Sequence, residues 1–298
     1  MTNSTSPLDR LRLRPGATLD FAPKEPRELH LRRMEAGLPT LGNDSYFFKD
    51  SAAVVHGLPL FDAALHKPHV VRLSGGHGEV TSLLHAYRCP DVLPQTEKIG
   101  DLRVTTLAQT AADLMRRYTF RPALAVADAA LRLGADRHEL FALVQGGRGC
   151  RIASEAVLRA DARSESPYES LCRALMLQHG IPLPELQVDL TDERGFIGRV
   201  DFWWRYARLV GEFDGMVKLL DHLGDDSIAD ALAHRSARDD RLRARGETVL
   251  HWVADDIHQV EPFVMSLREH FGDQLVDHGL RPEAMGYRRV RGRTGPRQ

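Results

Sequence analysis

The chain has 298 residues, 43% of them hydrophobic and 27% charged, which is typical of soluble globular proteins and leaves room for two domains. The chain has 40 Lys and Arg residues and 41 Asp and Glu residues, which give a formal net charge of -1. The protein as a whole is therefore not basic, and only a local basic patch could bind nucleic acid. The 3 widely spaced cysteines form no CxxC pair, and no apolar run reaches the roughly 18 residues of a membrane span. We therefore expect a cytoplasmic protein with no membrane partner.

The first half of the chain predicts helices on either side of a small sheet. A helix is expected over residues 26–37, and a short apolar helix begins with Asp50 or Ser51 as N-cap and stops at Gly57. Alternating apolar and polar residues predict strands within three segments, 69–74, 79–89 and 99–106. Apolar residues three and four positions apart then indicate four helices, over 106–118, 121–134, 136–145 and 150–161.

A polar segment at residues 160–167 predicts a domain boundary, with an α+β domain over 1–160 and an α/β domain over 161–298. The second domain opens with a helix whose Ser166 and Glu169 have the spacing of a capping box. Three strands, a long polar helix, another strand and a last helix follow. This order is typical of an α/β fold in which helices cover a sheet.

The segment GRVDFWWRYARLVGEFDG, residues 198–215, reads as an apolar hairpin that contains three carboxylates. A turn centred between residues 206 and 207 sets Asp201 directly opposite Glu212, and Asp214 shares the strand face of Glu212. The same alternation groups Val200 with Phe202 and Trp204. Opposed Cβ atoms lie roughly 4.5–5.5 Å apart, where like charges destabilise a sheet.

Two carboxylates at this distance share a proton, pair with a base or bind a cation such as Mg²⁺ or Mn²⁺, and Asp214 would be the third metal ligand. Ordinary explanations remain open. Asp201 can begin a strand, Asp214 can belong to a turn, Glu212 can pair with Arg199 or Arg208, and the capping box by itself accounts for Glu169.

The motifs SPYES, GRVDFWW, RLVGEFDG and ARDDRLRARGETVLHW resemble the restriction-endonuclease-like core of the PD-(D/E)xK fold, in the branch with very-short-patch-repair-like and DUF559-type domains. The resemblance covers residues 164 to about 256 and implies that Glu169, Asp201 and Glu212 bind Mg²⁺, which activates water at a phosphodiester. Asp214 stands where that family has lysine. Lys218 and Arg238 are the candidates to supply the missing charge.

The wider pattern AAVVHGLPL, HVVRLSG, LRVTTLAQTAADLMRRY and ALAVADAALRLG, followed by that core, is similar to actinobacterial AbiEi-like type IV antitoxins or transcriptional regulators. That family implies DNA binding by a winged helix, which is degenerate here before about residue 50, and a nucleotidyltransferase-like toxin as partner. Three functions follow as expectations: a DNA-associated antitoxin or regulator, a Mg²⁺-dependent DNA endonuclease, and a protein-interaction module without catalysis.

Other charged and histidine residues give weaker signals. Arg238, Arg241 and Arg245 follow helical spacing and predict a basic face, either solvated or in contact with a phosphate backbone. The histidines of the first half lack a ligand spacing and are interpreted as surface residues: His66, His69, His77 and His85.

Overall fold

The computed structural model describes residues 24–42, 45–61, 65–72, 79–80, 84–88, 93–215 and 225–285. Within these ranges the chain forms ten α-helices and ten strands in two sheets, so the predicted mixed α and β fold is confirmed. Lys218, His77 and the C-terminal segment RRVRGRTGPRQ, residues 288–298, which reads as a basic tail, lie outside the described residues. Among the described helices, none combines the length and the apolar character needed to span a bilayer.

The helices of the first half are α1 (Lys24–Gly37), α2 (Lys49–His56), α3 (Leu107–Met115), α4 (Phe120–Arg132), α5 (Arg137–Leu143) and α6 (Cys150–Arg159). Those of the second half are α7 (Pro167–Gln178), α8 (Asp225–Ala244), α9 (Ala254–Gln259) and α10 (Glu261–Phe271). Every predicted helix is present within a few residues of its predicted bounds. The short α9 is the one described helix that the sequence pattern did not indicate.

The first sheet has the order β3-β4-β2-β1-β6-β5 and mixes parallel and antiparallel pairs. Its strands are β1 (Tyr46–Phe47), β2 (His69–Arg72), β3 (Glu79–Val80), β4 (His85–Arg88), β5 (Thr96–Ile99) and β6 (Leu102–Thr105). Helices α1 to α6 supply most of the buried side chains that pack against it. A sheet is present where the sequence predicted one, but β1 and β5 are strands that the sequence pattern did not indicate.

The start of α2 differs from the prediction. The N-cap residue is Phe48, and Asp50 and Ser51 lie inside the helix. Asp50 is instead an ion-pair partner of Arg117, and the Ser51 hydroxyl accepts the backbone N–H of His69. These partners are distant in sequence, so a local capping rule could not find them.

The second sheet has the order β10-β9-β8-β7 and holds the predicted hairpin. Its strands are β7 (Glu185–Asp192), β8 (Gly195–Trp204), β9 (Leu209–Phe213) and β10 (Thr248–Trp252), and β10 runs parallel to β9. Phe202 pairs with Gly211 and Trp204 with Leu209, which is the predicted register. The next pair of positions along this register is Asp201 and Glu212.

The alternation predicted along β8 is wrong at one residue. Phe202 and Trp204 pack together on one side of the sheet, whereas Val200 packs with Trp203 and Leu242 in a separate cluster. Gln187 of β7 lies between the partners of Val200 and Phe202 and has a φ of 54°, far from extended backbone, and the register of β7 against β8 shifts between Leu190 and Thr191.

Contacts cross the predicted boundary at residue 160. Helices α4 and α7 pack against each other, and Asp128 on α4 forms a fully buried ion pair with Arg173 on α7, at 2.6 Å. Asp128 also accepts the N–H of Asp161, and Arg173 donates to the carbonyl of Arg159. The predicted linker is thus held between two packed helices.

Candidate functional site

A cleft of about 410 Å³ is lined by residues of β8, β9, β10 and α8. Asp201, Glu212 and Asp214, the three predicted metal ligands, all line it. The other lining residues are Arg199, Phe213, Gly215, His234, Arg235, Arg238 and His251. The sheet register therefore brings the predicted acids to one place.

The acid predicted on a helix also reaches this site. Ser166 is the N-cap of α7, as predicted, and accepts the N–H of Glu169. The Glu169 carboxylate accepts the N–H of Glu165, one residue upstream of the N-cap, and the Gln187 amide at 3.0 Å. Gln187 donates at 3.0 Å to Asp201 as well, so one side-chain amide bridges both acids.

Burial changes the protonation of this pair. Glu169 is 6% exposed, and burial, together with the nearby Asp201, raises its pKa to about 7. Burial also raises the pKa of Asp201, although hydrogen bonds from the Phe213 backbone and from Gln187 oppose the rise. The two acids share one amide, so a proton on Glu169 relieves their repulsion.

Two arginines of α8 cover the acids on β9. Arg238 pairs with Glu212, and Arg235 pairs with Asp214. Burial raises the pKa of Glu212, and the Arg238 guanidinium opposes this rise. Gly198 makes the approach possible, because a Cβ there would lie 3.0 Å from Cδ of Arg238.

A histidine that the sequence analysis did not single out completes the wall of the cleft. His251 pairs in register with Glu212 across the parallel strands β9 and β10, and its Nδ1 lies 3.8 Å from Glu212 Oε2. Its Nε2 lies 2.8 Å from the buried Asp239. A prediction that the last strand runs parallel to β9 would have placed His251 beside Glu212. No pattern in the sequence would have indicated the role of Gln187.

These carboxylates do not fit a divalent cation as they stand. Glu212 and Asp214 are paired with guanidinium groups, and both Asp201 oxygens accept hydrogen bonds. Within the described ranges, no three His, Cys, Asp or Glu side chains come together in a group able to hold a metal ion. Glu212 Oε1 is buried without a hydrogen-bond partner and is therefore available to a ligand.

The predicted basic face of α8 turns toward the sheet. Besides the pair between Arg238 and Glu212, Arg241 binds Asp192 through two nitrogens at 2.7 and 2.9 Å. Arg245 lies 3.7 Å from Glu247 and 5.4 Å from the ring centre of Trp203. Contact of these arginines with a phosphate backbone stays a prediction.

Comparison with known proteins finds two relatives, both named only as uncharacterized proteins. Rv2248 and MT2308, from two strains of Mycobacterium tuberculosis, are each 35% identical to this chain over 176 residues. The match covers 58% of this chain and 62% of each relative, so the chain spans less than two thirds of their length. No family model and no solved structure matches the chain.

Proposed function

We propose that this chain is a bacterial DNA-associated protein of the AbiEi-like antitoxin or transcriptional-regulator type, with a nuclease-like second half. The observation that carries the proposal is that Asp201 and Glu212, from two neighbouring strands, line one cleft, while Glu169 of α7 is joined to Asp201 through the Gln187 amide. This is the arrangement that the restriction-endonuclease-like resemblance implies.

The arginines of the cleft favour DNA association over a ready metal site. Carboxylates by themselves repel a phosphate backbone, and guanidinium groups offset that repulsion. Arg235 and Arg238 neutralise the acids of β9, and the exposed Arg199, paired with Glu165, stands at the rim. A backbone phosphate entering the cleft would exchange with a carboxylate for one of these arginines.

The regulator function predicts preferential binding to DNA upstream of the protein's own gene. The test is an electrophoretic shift with that DNA and with a shuffled duplex of equal length and composition. Tighter binding of the upstream duplex supports autoregulation, and equal binding contradicts it. Capture of a nucleotidyltransferase-like toxin encoded next to this gene would support the antitoxin role.

An endonuclease that depends on Mg²⁺ or Mn²⁺ is the second candidate; it requires the metal to displace Arg238 from Glu212, whose Oε1 is already buried without a hydrogen-bond partner. Plasmid, single-stranded DNA and RNA should then be cut when either metal is present. Asp201→Ala and Glu212→Ala should abolish the cutting, while Asp189→Ala on β7 serves as a matched control. Inactivity on every substrate contradicts this candidate, and a failure to bind DNA at low salt would leave the protein-interaction module.

A further inference from the structure

A group of aromatic rings lies on the first sheet, far along the chain from the carboxylate cleft. We name it the ring cluster: Phe48, His69, His85 and Tyr87. His69 of β2 and His85 of β4 are direct partners in register, with ring centres 5.5 Å apart. Tyr87 stacks on His85 at 4.2 Å and meets Phe48 edge to face at 5.0 Å. All four residues are half-buried, so the cluster lies at the surface of the fold.

Hydrogen bonds fix the orientation of these rings. The Tyr87 hydroxyl lies 3.2 Å from Nδ1 of His85 and 3.4 Å from Nδ1 of His69. The backbone of His69 is tied to the first turn of α2, because its N–H donates to Ser51 and its carbonyl accepts from Phe48. The ring cluster is therefore an ordered surface.

A strained lysine stands over the ring cluster. Lys49, the first residue of α2, has a φ of 51°, a left-handed conformation that is unfavourable for a residue with a Cβ. This backbone holds the Lys49 ammonium 4.2 Å from the ring centre of Tyr87 and 4.7 Å from that of Phe48. Burial lowers the pKa of Lys49.

The Lys49 ammonium lacks an acidic partner in the described part of the chain. The neighbouring Asp50 carboxylate binds Arg117 at 2.9 Å instead. The result is a cation with free hydrogen-bond donors at the edge of stacked rings. The strained backbone of Lys49 costs energy, and it holds the ammonium beside the rings of Phe48 and Tyr87 without an acidic partner. Such an arrangement points to a ligand.

We propose that the ring cluster and Lys49 bind single-stranded DNA, an inference that rests on the proposed association with DNA. An unpaired base offers a π face to a half-exposed ring, and the adjoining phosphate is an acceptor for an ammonium. A duplex hides its base faces by stacking. An acidic peptide would match Lys49 but would leave the rings unused.

The test is a fluorescence-anisotropy titration of the full chain with a labelled oligothymidine of about 12 nucleotides at low salt. Lys49→Ala and Tyr87→Leu should each weaken binding about tenfold, the first because it removes a phosphate contact and the second because it removes the ring that orients His85 and the Lys49 ammonium. The matched control is Lys98→Ala, which removes an exposed lysine from β5 of the same sheet. A competing acidic peptide should not displace the oligonucleotide.

Lys49→Gly separates binding from folding. Glycine adopts a positive φ without strain, so this variant should unfold at an equal or higher temperature while its affinity falls as in Lys49→Ala. Unchanged affinity in the Lys49 and Tyr87 variants, with wild-type DNA binding intact, overturns this inference alone. A wild-type chain that binds neither single-stranded nor duplex DNA overturns the proposed function as well.

Discussion

Replacing Glu169 with glutamine tests whether the buried acid pair of the cleft is protonated. The pKa of this carboxyl rises from 4.5 to about 7, and at about 1.4 kcal/mol for each tenfold change in proton affinity, ionising Glu169 costs about 3 kcal/mol more in the folded chain. Because the pKa of Glu169 is higher in the folded state, the folded chain binds this proton more tightly than the unfolded chain does. The resulting stabilisation of the folded state is fully present below pH 4.5 and is lost as the pH rises through about 7.

Glutamine resembles the protonated acid and does not ionise. Its carbonyl oxygen can still accept from the Glu165 backbone and from Gln187. We therefore expect Glu169→Gln to leave the free energy of unfolding nearly unchanged well below pH 4.5. At pH 8 the variant should be more stable than the wild type by about 2–3 kcal/mol.

Urea unfolding of both proteins, at low pH and at pH 8, measures this difference. The matched control is Glu193→Gln, which changes an exposed acid in the turn between β7 and β8. It should leave the free energy of unfolding unchanged at both pH values. A difference between Glu169→Gln and the wild type that is the same at both pH values would refute the protonation argument. Greater stability of the wild type at pH 8 would refute it too.

Three further substitutions test the packing around the site. Arg173→Met leaves Asp128 buried without its cation and should lower the free energy of unfolding by about 3–5 kcal/mol, whereas Arg163→Met, which breaks an exposed pair, should cost less than about 1 kcal/mol in the same urea experiment. Gly211→Ala sets a Cβ 2.4 Å from the Trp252 ring and should lower the melting temperature by an amount equivalent to about 1–3 kcal/mol, while Gly215→Ala, with its nearest atom at 3.8 Å, should not. Arg238→Ala exposes Glu212 to other cations, so Mn²⁺ should raise its melting temperature in calorimetry more than that of the wild type; an equal response would show that the arginine does not compete with metal.

Local sequence patterns predicted most of the described helices, the hairpin and the acids of the site, but not α9, β1 or β5. The register that pairs Phe202 with Gly211 and Trp204 with Leu209 followed from a turn position and the period of two along each strand. The helix from Ser166 followed from its cap. Both rules act over a few residues, which is why they could be applied without a structure.

The parts that were missed depend on long-range contacts. Phe48 takes the N-cap position of α2, and Asp50 binds Arg117, 67 residues away, instead of capping the helix. Gln187 bridges the two acids through a backbone conformation that no strand pattern indicates. His251 joins the cleft because the last strand runs parallel to β9, an arrangement that local alternation does not reveal.

Association with DNA is the central claim, and the salt dependence of duplex binding tests it most directly. The full chain should bind a labelled duplex at about 50 mM salt, and the logarithm of its affinity should fall linearly with the logarithm of salt concentration, with a slope of about −3 or steeper. Such a slope corresponds to three or more phosphate contacts at about −0.9 each. No binding at about 50 mM salt, or an affinity that salt does not change, would contradict the claim.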